Sequence, residues 1–142
     1  MAPGCWPGWS SAGWPVWATA EAAAMTGDPA DIAAYHAHVY FDSSETRAAA
    51  SELRAQIADR FPAARLGSWH EVPVGPHTRP MYQILFPAAL LAALLPYLML
   101  NRSGLSILLH PESGDDYADH TDHAAWLGPP LPLRLEVLKA RP

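Results

Sequence analysis

An α+β fold is what this sequence predicts, on three observations. Segments rich in β-branched and aromatic residues alternate with apolar helical stripes in the order strand–helix–strand–strand–helix–strand. Half of the 142 residues are hydrophobic and only 16% are charged, which suffices for one packed core. The first strand, finally, has two unlike sides. The order is the split βαβ pattern of ferredoxin-like folds, an antiparallel sheet with both helices on one face.

Each element follows from local pattern. Tyr35 to Phe41 alternates, with Ala37, Val39 and Phe41 on one side and His36, His38 and Tyr40 on the other. Asp42 and Glu45 mark a helix start, with Ser43 and Ser44 as competing N-caps. The helix carries Ala50, Leu53, Ile57 and Phe61 along one stripe, and Pro62 stops it. A second strand is expected over Arg65 to Val72, a turn-rich loop over Pro73 to Pro80, and a third strand over Met81 to Phe86. Pro87 can open a second helix over Ala88 to Leu95, which Pro96 ends or kinks. Leu105 to His110 is the fourth strand, and Leu133 to Leu138 a short fifth.

Residues 1–30 read differently. They hold four of the six tryptophans, four prolines and no lysine or arginine, so no periodicity survives. We expect a disordered extension or a translated leader upstream of a start at Met25, with an aromatic docking segment as the alternative. The domain proper is expected over residues 31–142. Met81 to Leu100 is free of charge for twenty residues, but Gln83, Pro87 and Pro96 favour a strand followed by a short buried helix over a membrane span.

Composition excludes several classes of function. A formal net charge of −5 disfavours nucleic acid and anionic membranes as partners. The single cysteine, Cys5, rules out a disulfide framework or a Cys-rich metal site and fits a reducing, cytoplasmic setting. Gly-x-Ser-x-Gly, a phosphate-binding glycine loop, an EF-hand and His-Glu-x-x-His are all missing from the sequence.

Seven histidines against one lysine are the informative excess. In the split βαβ order the first and fourth strands are neighbours. With Leu105, Ile107 and Leu109 under the helices, His110 joins His36 and His38 on the opposite face, where a pocket or a dimer partner belongs. A second cluster, His110 to His123, holds three histidines and five acidic residues, and no lysine or arginine falls between Arg102 and Arg134. A divalent cation would balance it.

Six motifs then occur in order: His36-Ala-His38-Val-Tyr-Phe41; Gly75-Pro-His77 with Pro80-Met81; Leu100-Asn-Arg102; His110-Pro-x-x-Gly-Asp115; Asp119-His-Thr121; and Trp126-Leu-Gly128. Together, over about Tyr35 to Leu133, they resemble the DOPA 4,5-dioxygenase family of small extradiol dioxygenases. Two positions depart from the family pattern, Pro96-Tyr97 in place of a tryptophan-bearing segment and Ser113 in place of threonine. The resemblance implies a ferredoxin-like subunit, usually a homodimer, that opens a catechol such as L-DOPA with O₂ at non-haem Fe(II).

On that reading His36, His38 and His110 are the metal ligands, with Asp115 or Asp119 able to replace one of them. His120 is the first choice for the acid/base and His77 the second. Tyr40 and Arg102 are assigned to substrate. Arg102 would pair with a carboxylate or else, as a helix-end arginine, bind carbonyl oxygens. The rival functions on the same face are a non-catalytic ligand-binding or dimerisation module and a zinc hydrolase.

Overall fold

The structure is a computed structural model that describes residues 27–139. The extension expected over residues 1–30, with Cys5 and its four tryptophans, therefore lies outside the described residues up to position 26.

Five strands form one antiparallel sheet: β1 (Ala34–Tyr40), β2 (Arg65–Leu66), β3 (Met81–Pro87), β4 (Ile107–Pro111) and β5 (Ala125–Leu127). Their order is β2-β3-β1-β4-β5. The first four reproduce the expected ferredoxin-like arrangement, with β1 between β3 and β4. Two main helices, α1 (Ser44–Arg60) and α2 (Leu91–Asn101), complete the core; α3 (Asp116–Asp119) and α4 (Glu136–Lys139) are single turns.

Alternation along the strands decides the core. Ala37, Val39 and Phe41 of the β1 segment meet Ala50, Leu53 and Ile57 of α1 and Leu94 and Leu98 of α2. Burying each large aliphatic side chain here stabilises the fold by roughly 1.5–3 kcal/mol. Ser43 caps α1, accepting from the Thr46 N–H while Thr46 Oγ1 accepts from the Ser43 N–H. The choice between the two serines thus falls on Ser43, and Thr46 closes the capping box. Tyr82, buried on β3, donates its hydroxyl to the Ala50 carbonyl at 3.0 Å and ties α1 to the sheet.

Three boundaries differ from expectation. Pro96 does not stop the second helix, which runs on to Asn101. Pro96 and Ala92, the residue whose carbonyl loses its partner, both face solvent, so water satisfies the group and the ring meets no packed neighbour. The second strand is paired as a ladder only at Arg65–Leu66; beyond it a Gly67 N–H bond to Gln83 and one His70–Met81 bridge keep the chain beside β3. The fifth strand is Ala125–Leu127, not Leu133 to Leu138. Leu133 makes one bridge to His77, after which the chain turns into α4.

Among the described residues, no helix is long and apolar enough to cross a membrane. The uncharged run Met81 to Leu100 is β3, a 3-10 turn (Ala88–Leu90) and most of α2.

The sheet face opposite the helices is divided. At one end Tyr40, Met81 and Leu108 are covered by Trp126, Leu131 and Leu133 of the chain's own C-terminal part. The other end carries the histidines.

Candidate functional site

Strand register builds the first half of the site. His36 of β1 lies directly opposite His110 of β4, so both side chains leave the same face, and His38 follows two residues along. His38 and His110 are buried, and His36 is partly exposed. The Nε2 atoms of His38 and His110 are 3.0 Å apart.

Loops add the second half. His77 is held by its bridge to Leu133 and by the Arg134 N–H bond to the Pro76 carbonyl at 2.8 Å. Its ring lies over His38, centroids 4.2 Å apart, and its Nδ1 is 2.7 Å from the Tyr40 hydroxyl. His120 follows α3, whose first turn Asp115 caps by accepting from the Ala118 N–H. The His120 ring stands 4.2 Å from that of His110, centroid to centroid.

Five imidazoles thus converge on a cavity of about 640 Å³, within the range of small-molecule sites. Two trios, His36–His38–His110 and His38–His77–His120, bring one ligand atom from each residue within 4.8 Å of the others. His38 belongs to both.

Burial decides the charge of these rings. It pushes His38 well below the ordinary histidine value, and the neighbouring imidazoles add to the shift, His77 first. Burial likewise lowers His77 to about 3 and His110 to about 4, against 6.5 in water. His36 is lowered by burial too, with Glu112, 2.9 Å from its Nε2, opposing. At neutral pH these four rings are uncharged, each with one N–H and one lone pair.

Hydrogen bonds then set which nitrogen offers the lone pair. His110 Nδ1–H donates to the Pro111 carbonyl at 2.8 Å, and His120 Nδ1–H to the Asp116 carbonyl at 2.7 Å. Both Nε2 atoms are therefore acceptors, with the second nitrogen anchored as in metal-bound histidines. His38 Nδ1 is buried without a hydrogen-bond partner among the described residues. A ring so placed, with Nε2 3.0 Å from another lone pair, suits a cation better than a packed core. Two ligands at right angles, each about 2.1 Å from one ion, would stand about 3.0 Å apart. The residues present fit a metal ion.

Asp119 completes the wall. Burial pushes its pKa up, but bonds from the Ser113 hydroxyl (2.6 Å), the Ser113 N–H (2.9 Å) and His123 Nδ1 (3.1 Å) outweigh burial and hold it below its ordinary value. This anchor fixes the loop between Glu112 and His120. Asp119, one of the two carboxylates considered as a ligand from the sequence, is buried and spends its oxygens on Ser113 and His123. Asp115, the other carboxylate considered as a ligand, is instead the exposed cap of α3.

The structure brings His36, His38, His110, His77 and His120 together, and it separates Arg102 from them. Arg102 caps α2, donates Nη1 to the Leu105 carbonyl at 3.0 Å and packs beside Gly128, outside the cavity lining. The helix-end alternative for Arg102 is the one observed, and the carboxylate-binding assignment is corrected. Tyr40 is buried and reaches the site through His77, which shields its hydroxyl from a ligand.

Comparisons with known proteins agree with this arrangement. The profile of the Dopa 4,5-dioxygenase family matches residues 35–137. An uncharacterised 21.2 kDa protein of Botryotinia fuckeliana is 38% identical over 116 residues, 75% of this chain and 63% of that protein. A DOPA 4,5-dioxygenase of Amanita muscaria is 36% identical over 115 residues, 76% of this chain and 50% of that protein. The chain thus spans between half and two thirds of these relatives' lengths. The crystal structure of a candidate dioxygenase from Nostoc punctiforme shares the fold with a TM-score of 0.77 at 44% identity, covering 80% of this chain and 97% of that one.

Proposed function

The chain belongs to the Dopa 4,5-dioxygenase family, and from that premise we propose that it opens a catechol ring with O₂ at a non-haem Fe(II). The observation that carries this reading is the convergence of five imidazoles, four of them held neutral by burial, on one cavity. His36, His38 and His110 would hold the ion, because they stand on two hydrogen-bonded strands and are the most rigidly placed of the five. When bound, Fe(II) supplies a Lewis acid with open neighbouring positions for catechol and O₂.

The chain's own residues handle protons and water. His120, its Nδ1–H fixed on the Asp116 carbonyl, keeps an acceptor at Nε2 and takes a proton from a catechol hydroxyl there. Burial raises Tyr40 far above the ordinary phenol value, so it keeps its proton and donates to His77 Nδ1. That bond leaves the His77 proton on Nε2, so His77 is a donor where His120 is an acceptor. Val137 and Leu138 of α4 form an apolar side to the cavity, against which an aromatic ring excludes water.

The test is anaerobic loading with Fe(II), followed by oxygen uptake with catechols and absorbance of a yellow ring-opened product. Oxygen consumption matched by product is expected. Iron-loaded protein that consumes no oxygen with any catechol would overturn the reading, and hydrolase activity with zinc alone would replace it.

A further inference from the structure

The cavity is larger than a catechol ring needs. Its volume of about 640 Å³ suits a drug-sized ligand, so a bare ring leaves part of it unfilled. The side chains around that remainder decide which substituent the ring carries best.

Three polar side chains of the lining are bonded within the chain. Glu112 Oε1 is 2.9 Å from His36 Nε2, Gln83 Nε2 lies 3.3 Å from the same atom, and Asp119 accepts from Ser113 and His123. Pro76, Val137 and Leu138 make a separate, apolar side. The Arg134 N–H bonds the Pro76 carbonyl at 2.8 Å, which holds the turn before His77 against the start of α4. The Leu138 N–H bonds the Leu135 carbonyl at 3.1 Å, and this turn sets Val137 and Leu138 in the lining. Pro76 is buried, Leu138 half-buried and Val137 41% exposed, so the apolar side runs from the interior out to the mouth. Each methylene taken out of water on such a surface strengthens binding up to about fourfold. A charged substituent gives up its water there without a bond in exchange.

We infer that the preferred substrates are catechols with an apolar substituent, alkyl or aryl, seated on Pro76, Val137 and Leu138. The inference rests on the ring-opening reading and deepens it. The hydroxyls stay among the imidazoles, the ring lies on the apolar side, and the substituent continues along α4 toward the mouth.

Calorimetric titration of the full chain, loaded with Fe(II) and kept anaerobic, tests this with 4-methyl-, 4-ethyl- and 4-propylcatechol. L-DOPA is the fourth probe, because its side chain has the length of propyl in zwitterionic form. Affinity should rise about twofold to fourfold per methylene, with a heat-capacity change that grows more negative at each step. L-DOPA should bind about tenfold more weakly than 4-propylcatechol. Val137→Asn should flatten the series and Val137→Ile should keep it, a slope insensitive to the fraction of protein correctly folded. A flat or falling series, L-DOPA matching 4-propylcatechol, or a slope unchanged by Val137→Asn would overturn the inference. Oxygen uptake on the same samples separates the two failures. A rising series without oxygen uptake would sink ring opening alone, and oxygen uptake with a flat series would sink the substituent preference alone.

Discussion

Acidification of the metal-free protein puts a number on the burial of these rings. Free histidine titrates at 6.5, whereas His77 is held at about 3 and His110 at about 4. Between those values the unfolded chain binds protons that the native rings refuse. Unfolding therefore takes up protons, and stability rises with pH from about 4 to 6.5 and levels off above. From pH 7.5 to 5 each of the two groups should remove about 2 kcal/mol, so the pair removes about 4 kcal/mol, against a total near 5–15 kcal/mol for a domain. His36 and His38, also lowered by burial, act in the same direction. Asp119 does not contribute in this window; its depressed value stabilises above 3.8 and is lost only below it. Urea unfolding at both pH values, with a chelator present and an unchanged slope, measures the difference. His110→Gln should recover about 2 kcal/mol of it. A loss under about 1 kcal/mol in the parent protein would refute the burial argument.

Three substitutions probe separate parts of the structure. His38→Ala should lower bound metal about tenfold or more, because His38 belongs to both trios; elemental analysis showing full occupancy would contradict the site. Tyr40→Phe removes the proton donated to His77 Nδ1 and should cost about 1–2 kcal/mol in stability, together with a fall in kcat, read by thermal melting and oxygen uptake. Gly128 has φ +76°, and a Cβ there would lie 2.5 Å from Arg102 Nη1, so Gly128→Ala should cost about 1–3 kcal/mol while metal affinity is unchanged, as titration would show.

The strand-borne half of the site was legible because alternation is rigid. Once Ala37 and Val39 are core, His36 and His38 must face away, and β4 register then brings in His110. His77 and His120 sit on loops, where no period exists to aim a side chain, so only the family resemblance carried them. Arg102 was misassigned because sequence order near a motif says nothing about direction; a carbonyl three residues on satisfied it first. Helix α2 was cut short because proline removes one bond of the helix ladder, a loss that the exposed Ala92 carbonyl makes good with water while Leu94 and Leu98 hold the helix on the core. The fifth strand was misplaced for a related reason. Ala125–Leu127 is too short to show alternation, while Leu133 to Leu138 shows an apolar pattern that serves one bridge and a helical turn.

The energetics of the site and its chemistry are one problem. The remaining part of this sheet face is closed by Trp126, Leu131 and Leu133 over Tyr40, Met81 and Leu108, an ordinary apolar contact. Aliphatic residues at 38 and 110 would extend that contact and leave no orphaned nitrogen, so on packing grounds the histidines are the poorer choice. Burial keeps these two rings uncharged, and the Pro111 and Asp116 carbonyls fix the acceptor side of His110 and His120. His38 Nδ1 has no partner among the described residues. Burial of the rings and the orphaned His38 nitrogen cost stability in the metal-free fold, the two carbonyl bonds offset part of that cost, and all of them prepare a lone pair for a cation. The same burial that makes the metal-free protein acid-sensitive is what keeps His36, His38 and His110 uncharged and able to bind a cation at neutral pH.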